Sequence, residues 1–152
     1  MTDFHLDDFM PYQLAVLSSK ISREFAELYT DRFGLSVPEW RLVAHLSQTR
    51  DPVSVREIFE RVDMDKSKVS RAASRLEQRG YVIKSVNPAD RRLVELRLSE
   101  KGRAMVDELA PLARQYDRQC LEALGEAAPA FREAVRALLE SRKPSGDTQR
   151  HG

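Results

Sequence analysis

The chain has 152 residues and a formal net charge of +1, with 41% hydrophobic and 32% charged residues. It contains no run of about 18 apolar residues, which excludes a helix that spans a membrane. Its single cysteine excludes an intramolecular disulfide framework, and no secretion signal is evident at the acidic N-terminus. We expect one cytoplasmic globular domain over residues 1–152, which is enough chain to bury a core.

The N-terminal part of the chain has the residue spacing of helices. Apolar residues recur every three or four positions over residues 8–33, and Gly34 is suited to end that helix. Two shorter helices follow. Each is predicted to begin with a capping box, in which a serine and a glutamate three positions later bond to each other's backbone N–H groups. The two capping boxes are Ser36 with Glu39 and Ser54 with Glu57.

A fourth helix is predicted from about residue 66, and Gly80 is suited to end it. Beyond that glycine the apolar spacing changes to two, which predicts strands near residues 81–86 and 94–98. The two strands form a hairpin with a charged tip at residues 87–92.

The C-terminal part of the chain returns to helical spacing. Two helices are predicted over residues 99–142, and Pro111 should bend the first of them. The tail 143–152 has little to bury and is expected to be disordered. The fold class is therefore mainly α with a small β-hairpin, in the outline of a winged helix-turn-helix.

The positive charge is concentrated in one segment. Residues 66–92 contain eight basic and two acidic residues, a net charge of +6, whereas the rest of the chain carries −5. This concentration suggests that a polyanion binds at one place. Charge alone fits a solvated basic surface equally well.

The fourth helix has the pattern of a DNA-recognition helix. Its inward residues are Val69, Ala72, Ala73 and Leu76. Its other face carries polar and basic side chains suited to phosphates and base edges, namely Lys66, Ser67, Lys68, Ser70, Arg71 and Arg75. At the hairpin tip, Arg91 and Arg92 could enter a minor groove, with Asp90 orienting one guanidinium. Charged hairpin tips also occur as ordinary exposed turns.

Three segments resemble the MarR-type family of transcriptional regulators. Residues 65–84 resemble that family's recognition helix and first wing strand. Residues 87–92, with their Asp-Arg-Arg pattern, and 94–102 resemble the wing and the start of the next helix. Upstream, residues 35–40 resemble the start of the family's second helix, and the whole resemblance covers residues 8–142.

The resemblance implies a homodimer. Helices at 8–33 and 99–142 would form a dimerisation base, and residues 36–98 would form the winged DNA-binding lobe. The two lobes would bind a pseudo-palindromic operator. A small effector, often an aromatic or phenolic acid or its coenzyme A thioester, would bind between base and lobes and release the repressor. The apolar stripes of the terminal helices agree with a partner chain, because they exceed what one small lobe can cover.

The resemblance also assigns roles by position. Ser36 and Pro38 would lie near phosphates at a helix start, and the fourth helix would lie in the major groove. Arg92, supported by Asp90, would enter the minor groove, with Arg91 close to phosphate.

Six residues are candidates for the effector site. Arg41 and His45 lie four positions apart on one helical face, where they could hold a carboxylate or phenolate. Four aromatic residues could line a pocket, namely Tyr12, Phe25, Tyr29 and Trp40. The alternative is an exposed arginine, an interface histidine and ordinary core aromatics.

Other functions have weaker support in the sequence. Cys120 lies on an apolar stripe, which favours a core role over a redox switch, although a redox-responsive regulator stays an alternative. The three histidines lack the spacing of metal ligands, and no cofactor motif or catalytic set is apparent. A winged-helix adaptor that binds only proteins is a second alternative, which the +6 segment disfavours.

Overall fold

The computed structural model describes residues 3–143. Backbone packing divides the chain into two compact units, Met1–Ala113 and Arg114–Gly152. Within the described range, no helix is both long enough and apolar enough to cross a membrane. The predicted disordered tail lies, from residue 144 onward, outside the described residues.

The first helix, α1, spans Met10–Phe33 and follows a 3-10 turn. Pro11 occupies its first turn. Backbone N–H groups there have no partner within the helix, so proline costs the helix no hydrogen bond. Gly34 ends the helix with a φ of 64°, a left-handed conformation that costs glycine no steric strain. The predicted end is confirmed, and the helix starts two residues later than the sequence pattern indicates.

Two short helices follow, α2 at Val37–Leu46 and α3 at Val55–Arg61. Each begins at a serine whose hydroxyl accepts the backbone N–H of a glutamate three positions later. These bonds measure 3.3 Å at the start of α2 and 3.1 Å at the start of α3. Both predicted helix starts are therefore confirmed.

Helix α4 spans Lys66–Gln78 and is joined to α3 by a tight turn. In that turn Asp63 has a φ of 52°, a left-handed conformation that Asp and Asn tolerate better than most residues. Asp65 holds the N-cap position of α4, but its side chain makes no capping bond. The turn places α4 beside α2 and α3 in a helix-turn-helix arrangement.

The predicted hairpin belongs to a three-stranded antiparallel sheet. Strands β1, β2 and β3 span Val53–Ser54, Val82–Val86 and Val94–Leu98, and their order in the sheet is β1-β3-β2. Val53 pairs with Leu96 across β1 and β3. A strand of two residues shows no alternation of apolar and polar positions, so the sequence pattern does not predict β1.

The core of the first unit packs α2 and α4 against the sheet, and α1 and α5 add side chains to it. Its fully buried side chains include Tyr29, Leu42, Leu46, Ile58, Leu76, Leu96 and Leu109. This core fixes α4 and the β2–β3 hairpin relative to each other, so both present their polar residues from one rigid body.

The last two helices are α5 at Glu100–Glu122 and α6 at Ala128–Glu140. Helix α5 continues through Pro111, and the bend expected there stays a prediction. In the second unit, the Arg132 guanidinium pairs with the Asp117 carboxylate. Every residue of α6 remains at least partly exposed.

Candidate nucleic-acid interface

The two faces of α4 differ in burial, as the sequence predicts. The apolar face, which includes Val69 and Leu76, is buried. The predicted polar residues are all exposed, namely Lys66, Ser67, Lys68, Ser70, Arg71 and Arg75. Three of these side chains are cationic within the first two turns alone, so the exposed face of α4 presents a dense row of positive charge.

The start of α2 lies beside one flank of α4. Pro38 lines an open depression together with Lys68, Arg71 and Arg75 of α4. The structure therefore brings a helix start and three cationic side chains to one place. A phosphate group suits such a place, because helix starts and cationic donors both favour anions.

The wing lies beside the other flank of α4. Arg92 lines a second open depression together with Lys66 and Ser70 of α4. Two further cations, Arg56 of α3 and Lys84 of β2, line the same depression. The sequence reasoning did not single out these two as site residues. Lys84 could have been found from the +6 segment that contains it, whereas only the fold brings Arg56 to the wing.

The wing tip is held by local hydrogen bonds. The Asn87 side-chain oxygen accepts the backbone N–H groups of Ala89 and Asp90 at 2.8 and 3.1 Å. The Asp90 carboxylate accepts two bonds from the Arg92 guanidinium, at 3.1 and 3.4 Å. These bonds, together with the backbone N–H of Arg92, hold the pKa of Asp90 below its usual value. The predicted pairing of Asp90 with Arg92 is present, and Arg91 is exposed beside it.

The capping box of α2 differs from its predicted form. The Glu39 carboxylate accepts a bond from the Ser36 hydroxyl at 2.9 Å instead of reaching back to the backbone. Glu39 turns toward α4 because Arg75 and Arg79 approach its two oxygens at 3.6 and 3.8 Å. The Ser36 hydroxyl is thus occupied within the cap, while Pro38 faces the depression beside α4.

The aromatic candidates for the effector site separate into two places. Phe25, Tyr29 and Trp40 form one cluster, with ring centroids 5.2 to 5.4 Å apart. Tyr12 is exposed near the start of α1, 13 positions before Phe25, which is about 20 Å along a helix. The fold of one chain therefore does not bring Tyr12 to the cluster.

The polar candidates for the effector site lie four positions apart on α2. The positive charge of Arg41 acts on Tyr29, whose pKa is raised by burial and lowered in part by that charge. His45 lines a depression with Asp51, Glu57 and other residues near β1 and α3. A joint site of Arg41 and His45 stays a prediction.

Comparison with known proteins agrees with this geometry. Residues 33–93 match the sequence profile of the MarR family. The transcriptional regulator BilQ of Clostridioides difficile is 33% identical over 64 residues, which are 42% of this chain and 43% of BilQ. The transcriptional repressor IacR of Pseudomonas putida is 24% identical over 125 residues, which are 82% of this chain and 74% of IacR. The match to BilQ thus spans less than half of that relative.

Two solved structures cover nearly the whole chain. The MarR-family regulator SPO1453 of Silicibacter pomeroyi is 28% identical with a TM-score of 0.80, over 93% of this chain and 100% of that chain. Over this length the chain is similar in fold and sequence to MarR-family regulators. A second structure, BpsR of Bordetella bronchiseptica, is 25% identical with a TM-score of 0.77, over 94% and 100% of the two chains. The DNA binding of BpsR is regulated by 6-hydroxynicotinic acid.

MarR-family proteins are DNA-binding transcriptional regulators and not enzymes. Cys120 is a free, half-buried cysteine of α5. Among residues 3–143, no three His, Cys, Asp or Glu side chains are grouped so that they could hold a metal ion.

Proposed function

We propose that this chain is a sequence-specific repressor of the MarR family, which binds duplex DNA in the cytoplasm. One observation carries the proposal: Pro38, the exposed face of α4 and Arg92 border two depressions that flank the same helix. A helix lying in a major groove has DNA backbone on both of its sides. Cations on both flanks of α4 suit that arrangement.

The residues have distinct roles in this complex. Arg71 and its neighbours on α4 contact base edges and phosphates in the major groove, since arginine can bond guanine O6 and N7 together. Pro38 and Ser36 place the start of α2 near a phosphate. Arg92, held by Asp90, enters the minor groove, and Arg91 contacts the adjacent backbone. Residues 36–98 then act as the DNA-binding lobe.

The active form is a homodimer on a pseudo-palindromic site. Its dimerisation helices are those at 8–33 and 99–142. Large apolar side chains of α1 and α6 are exposed in the single chain, among them Leu14, Leu17, Phe131, Val135, Leu138 and Leu139. An apolar stripe of this kind on a helix needs a covering surface, and a second copy of the chain provides one symmetrically.

A small aromatic acid, or its coenzyme A thioester, releases the repressor from DNA. Support comes from BpsR, whose DNA binding responds to 6-hydroxynicotinic acid. In this chain, the positive charge of Arg41 acts on Tyr29, which belongs to the cluster of Phe25, Tyr29 and Trp40. Tyr12 joins that site only if the partner chain or a rearrangement brings it there.

The test is a salt titration of DNA binding. Duplexes are selected from a random pool by the purified protein, and affinity is measured by fluorescence anisotropy. We expect log affinity to fall linearly with log salt, by roughly 10³ to 10⁵ between 50 and 200 mM if about six to ten phosphates are contacted. An aromatic acid or thioester that raises the melting temperature should dissociate the complex. A protein that binds no duplex at low salt would instead be an adaptor for other proteins.

A further inference from the structure

Glu39 is unusual among the residues that the structure describes, because it alone is a buried charged side chain, 4% exposed. A buried carboxylate is costly unless it is paired and hydrogen-bonded. Its Oε1 accepts the Ser36 hydroxyl at 2.9 Å and lies 3.6 Å from Nη1 of Arg75. Its Oε2 lies 3.8 Å from Nη1 of Arg79. One carboxylate at the start of α2 thus holds two arginines of the α4 segment.

The two arginines differ in what else they bind. Arg79 donates to the carbonyl oxygens of Phe33 and Gly34 at the end of α1, and its guanidinium lies over the Tyr81 ring. It therefore joins α1, α2 and the wing strand. These contacts give Arg79 a structural role.

Among residues 3–143, the Arg75 side chain has no comparable bonds to backbone carbonyl groups. Its side chain is 58% exposed, and within the described part of the chain Glu39 is its anionic partner. The same side chain lines the depression beside Pro38, together with Lys68 and Arg71. Glu39 thus forms an ion pair at 3.6 Å with a guanidinium whose side chain also borders the proposed phosphate position.

We infer that Glu39 is a positioning residue for DNA binding, which holds Arg75 ready for a backbone phosphate. The inference rests on the proposed function. A free arginine has many rotamers, and fixing them on binding lowers affinity. The guanidinium has five donors in a planar fork, so it can keep Glu39 on one edge and bond a phosphate with another. If Arg75 is held in one rotamer before DNA binds, part of this loss of affinity is avoided.

The direction in which Glu39→Gln changes DNA affinity distinguishes a positioning role of Glu39 from a simple effect of its charge. Glu39→Gln removes a negative charge beside the DNA, which by charge alone would strengthen binding and steepen its salt dependence. Positioning predicts the opposite result. We expect affinity about 2- to 10-fold lower, as for the loss of one ordered long side chain, and a salt slope that is shallower by up to about one phosphate contact.

Measuring Glu39→Gln in a second protein, Arg75→Ala, distinguishes a positioning role of Glu39 from a general effect of the substitution on the fold. In an Arg75→Ala protein, Glu39→Gln should cause no further loss of affinity, because the residue that Glu39 positions is gone. An equal loss in both backgrounds, or tighter binding by Glu39→Gln alone, overturns the inference. The unmodified protein is measured on the same duplex, so its failure to bind would contradict the proposed function instead.

Arg75→Lys provides a variant at an exposed position in case Glu39→Gln does not fold. Lysine keeps the charge, but its compact ammonium lacks the planar fork that reaches a carboxylate and a phosphate together. We expect the affinity of Arg75→Lys to fall by a similar factor while its thermal unfolding midpoint stays unchanged. Affinity equal to that of the unmodified protein would overturn the inference.

Discussion

At the scale of single residues, the cations of the interface differ in how they are held. Arg92 donates two hydrogen bonds to Asp90, and Arg75 forms an ion pair with Glu39. Arg71 is exposed on α4 and lines the depression beside Pro38. A long side chain that projects from the middle of a recognition helix has the freedom to follow a base edge. Arg71 is therefore the residue on which base preference should depend most.

Arg71→Ala should weaken binding to the selected duplex and relax its base preference. The expected loss is roughly 1–3 kcal/mol if Arg71 bonds a guanine on two atoms. Anisotropy with the selected duplex and with single-base variants measures both effects. Arg50→Ala is a matched control, since Arg50 is exposed beyond the far end of α2, whose last residue lies about 12 Å along the helix from Pro38. Equal affinity of Arg71→Ala and the control would remove Arg71 from the interface.

At the scale of elements, the start of α5 packs tightly against the beginning of the wing. Gly102 lies so near the residue before β2 that a Cβ at this position would overlap the Tyr81 carbonyl oxygen. Ser99 caps the helix by accepting the Gly102 N–H at 3.0 Å. Lys101 adds a contact over the Tyr81 ring, with its Nζ 4.6 Å from the centroid. This joint sets where the hairpin emerges beside α4.

Gly102→Ala should destabilise the protein, because the new methyl group meets backbone and not a flexible side chain. Overpacking of this kind costs roughly 1–3 kcal/mol, and the denaturant midpoint of unfolding measures it. Glu108→Ala, at an exposed position of the same helix, should change stability by about 0.5 kcal/mol or less. Unchanged stability of Gly102→Ala would show that α5 and Tyr81 do not approach so closely.

The elements also show what the sequence can and cannot predict. Helix starts at Ser36 and Ser54 follow from local chemistry, because the capping atoms lie within four residues of each other. The inward and outward faces of α4 follow from helical spacing. The contact of Glu39 with Arg75 cannot be predicted from local chemistry or helical spacing, because the two residues are 36 positions apart. Only the packing of α2 on α4 brings them together. The distance of Tyr12 from the aromatic cluster follows from the length of α1 in the single chain.

At the scale of the whole molecule, the chain exposes apolar surface that is not buried in its own core. The buried residues lie within the first unit, and α6 in the second unit buries none of its residues. Yet α6 carries large apolar side chains at helical spacing, which include Phe131, Val135 and Leu138. A helix gains most of its stability from packing such a face. The proposed dimer would cover this apolar face of α6.

Leu138→Asp should convert the proposed dimer to a monomer, because it places a charge on the apolar face of α6, where burial would leave that charge unpaired. Ala137→Asp is the matched control, since it adds the same charge one residue away and about 100° around the helix. Sedimentation velocity measures the mass of each variant, and anisotropy measures its affinity for full and half palindromes. We expect Leu138→Asp to lose its preference for the full palindrome while the control keeps it, because two linked lobes bind far more tightly than one. An unmodified protein that sediments as a monomer, or a Leu138→Asp variant that remains dimeric, would contradict the proposed dimer of α1 and α6.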